Sequence, residues 1–347
     1  MKEIYETKKK FPNHALVVSL MVEPKREAWH EIVKRVEDVG VDGLELNFGC
    51  PHGMAERGMG AASGQVPSLV EAQTFWAKEV ARTPVIVKLT PNITDITATA
   101  LAAVQGGADA ISMINTINSL MGVDLDSWNT IPNVAGMGAH GGYCGPAVKP
   151  IALNMVAECA RHPEINIPIS GIGGISTWRD AVEFILMGAT GVQVCTAAMH
   201  HGFSIVEDMI DGLNNYLDDK GLASVTELIG KSVRKYQNWG DLDLNYQVVA
   251  SINRDKCINC NKCHIACEDA SHQCIERLTD EQGHAFLQVR EEDCVGCNLC
   301  SIVCPVEGAI DMVEVPSIQP PMTWNQRQKV LALMKEGSGI DNKKEVV

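Results

Sequence analysis

Short apolar segments alternate with amphipathic segments along the first 235 residues of the chain. The apolar segments predict six β-strands, at Ala15–Met21, Gly43–Phe48, Val85–Leu89, Ala110–Ile114, Ile167–Ser170 and Gly191–Cys195. The segments between them predict five helices, at Glu27–Val39, Pro67–Arg82, Asp95–Gln105, Val148–Arg161 and Thr177–Met187. In the first of these, Trp29, Val33 and Val36 recur at the spacing of one helix face. Strands that alternate with helices predict a parallel sheet covered by helices.

A glycine precedes the strand in three similar segments, Gly40–Leu44, Gly107–Ile111 and Gly188–Val192. Glycine suits the residue after a helix because it adopts the left-handed conformation at little cost. The repeated order of helix, glycine and strand fits an open doubly wound sheet or a (β/α)8 barrel. No Gly-x-Gly-x-x-Gly motif follows the first strand, which weakens the dinucleotide-binding alternative.

Two segments near the end of this region favour the barrel. Ser170–Thr177 is rich in glycine and joins a strand to a helix, and Gln193–Ala197 ends the next strand. Barrels often bind phosphate in the loops after their last two strands, where backbone N–H groups and helix starts face the ligand. A tight turn without a ligand is the alternative interpretation of Gly171–Gly174.

The number of predicted strands is two short of the eight that a barrel needs. Two βα units correspond to roughly 60 residues. We therefore expect an α/β TIM barrel whose first two βα units are missing from this chain. The strands at Ala15–Met21 and Gly191–Cys195 are then expected to border the gap.

Cysteine is distributed unevenly along the 347 residues. Four of the 13 cysteines lie in the first 250 residues, and nine fall between Cys257 and Cys304. The composition changes near Asn238–Tyr246. We predict a barrel domain over 1–237, an iron–sulfur domain over 238–315 and a C-terminal tail over 316–347.

The cysteine-rich region contains two runs with the spacing of bacterial two-cluster ferredoxins. In that pattern three closely spaced thiolates bind one [4Fe–4S] cluster and the fourth crosses to the other. The ligands predicted for one cluster are Cys257, Cys260, Cys263 and Cys304. Those predicted for the other are Cys294, Cys297, Cys300 and Cys267. Structural zinc is the alternative, although its sites use separated cysteine pairs. Cys274 is surplus, and we interpret it as a packed or surface thiol.

Composition restricts the partners and the compartment. A net charge of −14 argues against nucleic acid, and no run of about 18 apolar residues predicts a membrane span. The N-terminal region has no signal-peptide core, so a cytoplasmic location is expected, where disulfides are rare.

A phosphate-binding barrel beside one-electron clusters predicts a flavin, and FMN fits because it offers one phosphate.

Several motifs occur in an order that resembles a known family. They are Asn47–Gly53, Val87–Asn92, Ile114–Thr116, Lys149–Leu153 and Gly171–Gly174. Together with the ferredoxin module they resemble the dihydropyrimidine dehydrogenases, and most of all the bacterial type with a separate FMN and iron–sulfur subunit. The barrel alone is similar to the dihydroorotate dehydrogenases, so a barrel of that type is expected.

The resemblance implies reduction of the 5,6 double bond of uracil and thymine with NAD(P)H. By motif position, Cys50 is expected to donate a proton to C5 of the pyrimidine, and the flavin a hydride to C6. Gly53, Gly58, Gly60 and Gly64 are expected to let the following loop close over the substrate. No nicotinamide-binding fold is found, so a partner subunit with FAD and NAD(P)H is implied.

The resemblance also assigns binding residues. Those expected at the substrate are Asn47, Phe48, Gly49, Asn115 and Thr116. Those expected at FMN are Lys88, Gly145, Ile172, Gly173, Gly174, Cys195 and Thr196. Taken alone, each asparagine fits a turn and Cys50 fits a small buried hydrophobe. A dihydroorotate dehydrogenase-like enzyme and an electron-transfer subunit without pyrimidine chemistry are the competing hypotheses. The missing strands also lead us to expect weak flavin retention.

Overall fold

A computed structural model describes residues 1–51, 55–316 and 319–338. The predicted loop glycine Gly53 and parts of the predicted tail lie outside these residues. The chain divides into two compact units, Met1–Tyr236 and Gln237–Val347.

The first unit is built on a six-stranded parallel sheet. Its strands are β1 (Val17–Leu20), β2 (Gly43–Asn47), β3 (Val85–Lys88), β4 (Ala110–Met113), β5 (Ile169–Ile172) and β6 (Gly191–Gln193). They lie side by side in chain order, so each crossover connects neighbours and β1 and β6 are the outer strands. All six predicted strands are present, and β1 and β6 occupy the edges predicted for them.

Helices connect these strands and cover one face of the sheet. In the first unit they are α1 (Lys2–Lys10), α2 (Arg26–Glu37), α3 (Ala61–Gly64), α4 (Pro67–Lys78), α5 (Ile96–Gln105), α6 (Lys149–Arg161), α7 (Trp178–Leu186), α8 (Thr196–His201) and α9 (Ile205–Lys220). The predicted apolar face of α2 is buried, with Val33 fully covered. The Trp29 indole packs edge-on against the Phe48 ring, with 5.9 Å between the ring centroids. Its Nε1 donates a hydrogen bond to Gln73 Oε1.

The opposite face of the sheet curls inward. The Gln193 side chain, on the outer strand β6, donates a hydrogen bond to Glu45 on β2 and accepts one from Lys88 on β3. A flat sheet would hold β6 several strand spacings, each about 4.8 Å, away from β2. The contact therefore shows that the six strands form an incomplete barrel, which agrees with the predicted barrel class.

An insertion between β4 and α6 was not predicted. It contains two antiparallel hairpins, Ile117–Ser119 with Gly141–Tyr143 and Gly122–Val123 with Thr130–Ile131. Strands of two or three residues carry too few side chains for alternation to identify them. Helices α3, α8 and α9 also lie outside the predicted elements.

The second unit contains two antiparallel strand pairs. β7 (Gln247–Ile252) pairs with β10 (Ile310–Val315), and β8 (Ile275–Thr279) pairs with β9 (Ala285–Val289). Its helices are α10 (Lys262–Ala270), α11 (Leu299–Ile302) and α12 (Trp324–Ser338). Its buried core includes five cysteines as well as aliphatic side chains. α12 lies within the predicted tail, and Asn325 beside its start donates a hydrogen bond to Asp241.

None of the helices in the described part of the chain has both the length and the apolar character needed to cross a bilayer.

Candidate active site and cluster sites

A cavity of about 270 Å³ lies at the carboxyl ends of the barrel strands. Its wall includes the last residue of β3, the segment after β4 and the segments after β5 and β6. Active sites of α/β barrels occupy this end of the sheet. All seven residues predicted at FMN line the cavity, namely Lys88, Gly145, Ile172, Gly173, Gly174, Cys195 and Thr196. The predicted substrate residues Asn115 and Thr116 line it too.

The glycine turn after β5 needs its glycines for space and for backbone conformation. Gly173 and Gly174 have φ values of +134° and +76°, in the region that side chains disfavour. A Cβ on Gly174 would lie 2.8 Å from the carbonyl oxygen of Gly145 and 2.9 Å from the backbone nitrogen of Lys149. The turn therefore sits directly on the segment that begins α6. Two backbone segments this close, beside a helix start, fit the phosphate of FMN.

Asp180 connects the glycine turn to the start of α6. It belongs to a capping box with Thr177 at the start of α7, and it also accepts a hydrogen bond from the Ser176 backbone. Its other carboxylate oxygen lies 2.7 Å from Lys149 Nζ, on the first turn of α6. Burial opposes ionisation, but hydrogen bonds from Lys149, Ser176 and Thr177 outweigh it and lower the pKa of Asp180. The hydrogen bond to Asp180 in turn raises the pKa of Lys149.

A polar network fills the interior below the cavity. Glu45, which is 8% exposed, accepts hydrogen bonds from Lys88 Nζ at 3.1 Å, Ser112 Oγ at 2.8 Å and Gln193 Nε2 at 2.9 Å. Gln193 also contacts Ser170 Oγ at 3.2 Å. Lys88 is thus a paired, largely buried cation rather than a solvated surface lysine.

Sequence reasoning missed Glu45 and Gln193 as site residues. One signal was present, since Glu45 interrupts the buried strand Leu44–Leu46 with a charge. A charge inside a buried strand is costly unless it has a partner, so it marks a position that needs explanation. Cys144, which lines the cavity, gave no comparable signal.

Asn47 organises the turn that holds Cys50. Its Oδ1 accepts hydrogen bonds from the backbone nitrogens of Gly49 and Cys50, at 3.2 and 3.1 Å, and from Asn115 Nδ2 at 2.9 Å. Gly49 is needed here because a Cβ would lie 2.3 Å from Asn115 Cβ. The structure therefore joins the Cys50 turn to the cavity through Asn115.

Phe48 differs from the other predicted substrate residues. Its side chain is 1% exposed and packs in the core against Trp29. Only its backbone remains for a contact with a ligand.

Thr116 has an unsatisfied polar group. Its Oγ1 is the one buried side-chain polar atom without a hydrogen-bond partner in the described residues. Thr116 lines the cavity, so an unpaired hydroxyl lies at its wall, packed against Gly142.

Two of the loop glycines are packed against the Cys50 turn. A Cβ on Gly60 would lie 2.5 Å from the Cys50 carbonyl oxygen, and one on Gly64 would lie 1.8 Å from the Phe48 carbonyl oxygen. His140, from the insertion, contacts the Pro51 carbonyl oxygen at 2.8 Å. In this conformation the Cys50 and Phe48 carbonyl groups leave no room for a Cβ, which explains why positions 60 and 64 are glycine.

The second unit holds two small cavities, each surrounded by four of the predicted cluster ligands. One is lined by Cys257, Cys260, Cys263 and Cys304. The other is lined by Cys267, Cys294, Cys297 and Cys300, together with Cys274. The fold therefore brings together the two sets that the spacing predicts. Four thiol side chains around each cavity suit the thiolate ligation of a [4Fe–4S] cluster.

The loops between these cysteines have matching backbone conformations. Asn259 and Asn261 in the first run have φ values of 54° and 62°, and Gly296 and Asn298 in the second have 69° and 66°. These residue types tolerate the left-handed region best. Both loops therefore wrap their cavities in the same way.

Comparison with known proteins agrees with this geometry. A family model described as dihydroorotate dehydrogenase matches residues 1–217. The chain belongs to the dihydroorotate dehydrogenase family. A second model, described as a 4Fe-4S dicluster domain, matches residues 250–312. The predicted combination of barrel and two-cluster domain is thus confirmed.

The relatives include proteins named dihydropyrimidine dehydrogenase and proteins named dihydroorotate dehydrogenase. The NAD-dependent dihydropyrimidine dehydrogenase subunit PreA of Escherichia coli K12 is 44% identical over 270 residues, 78% of this chain and 65% of that protein. The chloroplastic dihydropyrimidine dehydrogenase (NADP(+)) of Arabidopsis thaliana is 42% identical over 246 residues, 70% of this chain and 58% of that protein.

The catalytic subunit of dihydroorotate dehydrogenase B (NAD(+)) from Pyrococcus furiosus is 43% identical over 199 residues, 57% of this chain and 63% of that protein. This chain therefore spans less than two thirds of the length of these relatives. A dihydroorotate dehydrogenase structure from Eimeria tenella aligns with a TM-score of 0.54 and 21% identity, covering 67% of each chain. That likeness supports the fold.

Proposed function

We propose that the chain is the catalytic subunit of a dihydropyrimidine dehydrogenase, which reduces the 5,6 double bond of uracil and thymine. The observation that carries the proposal is the link from the cavity, through Asn115, to the turn that holds Cys50. Similarity to the bacterial and plant dihydropyrimidine dehydrogenases supports it.

We assign the cavity to FMN, which, when bound, supplies a hydride and exchanges single electrons. Gly145, Gly173, Gly174 and Thr196 would hold the phosphate, mostly through the backbone. Lys88 would place its positive charge near the ring. Glu45 and Gln193 fix the Lys88 ammonium through hydrogen bonds of 3.1 and 3.0 Å.

Cys50 is the proposed proton donor to C5 of the pyrimidine. A positioned thiol can act as a general acid and be reprotonated afterwards. With its carbonyl oxygen committed to the turn, Asn47 offers only its Nδ2 donors to a pyrimidine carbonyl. Thr116 Oγ1 can donate or accept a hydrogen bond. Asn47 and Thr116 together can therefore read the alternating donors and acceptors along the edge of uracil.

The two clusters are proposed as the electron path. Electrons would enter from NAD(P)H through FAD on a partner subunit and pass through the clusters to the cavity. Cys257, Cys260, Cys263 and Cys304 would bind one cluster, and Cys267, Cys294, Cys297 and Cys300 the other. Clusters of this type transfer single electrons, which a flavin can combine into a two-electron step.

Dihydroorotate oxidation is the second candidate, favoured by the family match and by the Pyrococcus relative. Orotate carries a carboxylate that needs a cation. Lys88, which lines the cavity, already pairs with Glu45. Uracil and thymine, which have no carboxylate, therefore fit this site better.

A substrate panel tests the proposal. The chain, reconstituted anaerobically with FMN, iron and sulfide and reduced with dithionite, should convert uracil and thymine and leave orotate unchanged. Conversion of orotate alone would favour the second candidate. Bound flavin with no conversion of any base would indicate an electron-transfer subunit.

A further inference from the structure

The second cluster site contains a fifth thiol. Cys274 is 4% exposed and lines the same cavity as Cys267, Cys294, Cys297 and Cys300. Its Sγ lies 3.6 Å from Cys267 Sγ. The two-cluster spacing needs eight cysteines and leaves Cys274 without a role.

Ala309 is the counterpart of Cys274 beside the other cavity. Cys274 is the residue directly before β8, seven positions after Cys267. Ala309 is the residue directly before β10, five positions after Cys304. Ala309 is 2% exposed and lines the first cavity, as Cys274 lines the second. The residue before the strand therefore borders a cluster cavity in both cases, but only the second cavity has sulfur there.

We propose that Cys274 is an alternative ligand of the second cluster, able to replace Cys267 on the same iron. The proposal rests on the ligand set given above. In the exchange, the iron–sulfur bond to Cys267 breaks and one to Cys274 forms. The proton of the Cys274 thiol passes to the departing Cys267 thiolate, so the charge is unchanged and no electron is transferred. Because the two sulfurs lie 3.6 Å apart, either could occupy this ligand position.

A small buried hydrophobe is the competing explanation of Cys274. In that case alanine, the residue at the counterpart position 309, would serve equally well. The two explanations differ only when Cys267 is removed. A variant without Cys267 keeps its second cluster if Cys274 is a ligand, and loses it if Cys274 only packs.

Iron content and the electron paramagnetic resonance spectrum of the dithionite-reduced full chain test this. C267A should keep both four-iron signals, while C267A/C274A should lose the second. C297A is the matched control, since the neighbour of Cys297 Sγ at 3.2 Å is the Ser271 hydroxyl. It should lose the second signal. C274A alone should keep both.

Three outcomes overturn the inference. A C267A chain that loses the second cluster as C297A does would show that Cys274 does not bind. A double variant that keeps the cluster would point to another group, such as His272, which lines the same cavity. A C297A chain that keeps both clusters would overturn the proposed ligand set itself.

The first cavity allows the same test in reverse, should C267A fail to fold. C304A should lose the first cluster, and C304A/A309C should regain it, because the added sulfur would border the first cavity as Cys274 borders the second. If A309C restores nothing, a sulfur at the border of a cluster cavity is not sufficient for ligation, and the inference fails.

Discussion

At the scale of single residues, the Cys50 turn is held by side chains rather than by regular structure. Asn47 follows the pattern of an Asx turn, which is an ordinary structural role for an asparagine after a strand. Here the same oxygen also accepts a hydrogen bond from Asn115, so the turn is joined to the cavity wall. The structural and the functional interpretations of Asn47 are therefore compatible.

The first prediction concerns Cys50. C50S should slow uracil reduction by ~10²–10⁴-fold, the usual contribution of a general acid, while FMN affinity stays the same. Stopped-flow measurement of the dithionite-reduced chain with uracil would show this. C144S, which changes a thiol in the cavity wall, is the control and should retain turnover within a few-fold. Equal rates for C50S and the parent would remove Cys50 from the proton transfer.

The second prediction concerns Glu45. E45Q keeps the shape of the side chain but leaves Lys88, which is 15% exposed, without a compensating charge. Removing one member of a buried pair costs about 3–5 kcal/mol of stability. Urea denaturation followed by tryptophan fluorescence measures the loss.

E31Q is the matched control for that substitution. It breaks the pair between Glu31 and Arg35, whose side chains are 69% and 59% exposed, so a change of about 0–1 kcal/mol is expected. Similar losses for E45Q and E31Q would mean that the interior network contributes little.

At the scale of elements, the cavity depends on where strands stop and helices begin. β5 ends at Ile172, the glycine turn follows, and Asp180 connects the start of α7 to Lys149 at the start of α6. The start of α7 is capped by Thr177 and Asp180, so the anion site is expected at the glycine turn and the neighbouring start of α6.

The third prediction tests the glycine turn. G174A should abolish tight FMN binding, because the new methyl group would lie 2.8 Å from the Gly145 carbonyl oxygen. Fluorescence titration with FMN measures this. G221A is the control, because Gly221 has a similar φ of +64° but no atom within 4 Å of the added Cβ. It should lower stability by about 1 kcal/mol and leave FMN binding unchanged. Unchanged FMN affinity in G174A would place the phosphate elsewhere.

At the scale of the whole molecule, the cavity and the clusters lie in separate compact units. The first unit also has two outer strands, β1 and β6, each paired on one side within the described residues. Weak flavin retention, which we expect from the missing strands, stays a prediction. The dissociation constant of FMN measures it.

The fourth prediction uses this separation. C297A should remove a cluster ligand and stop uracil reduction by NAD(P)H through the partner subunit. Dithionite-driven reduction of uracil should persist, because Cys50 and the cavity belong to the other unit. Parallel assays with the two electron donors measure the split. Loss of both activities with FMN still bound would give the clusters a role besides electron transfer.

The sequence by itself determined the features that depend on near neighbours. The spacing of apolar residues, the glycines that end helices and the two cysteine runs each act over a few residues, so a local pattern is sufficient to predict them. The six barrel strands and the two cysteine runs followed from these patterns, while the exchange of Cys267 and Cys304 between the two sets was predicted from the ferredoxin spacing. The ends of the strands shifted because hydrogen bonding to neighbours, and not the pattern, decides where a strand stops.

Only the tertiary structure decided the contacts between distant positions. Glu45 and Gln193 are 148 residues apart, yet they share a hydrogen bond because the curled sheet brings β2 and β6 together. The core packing of Phe48 and the unpaired hydroxyl of Thr116 have the same origin. Side-chain partners across a barrel depend on register and curvature, and both are properties of the whole sheet rather than of any single segment.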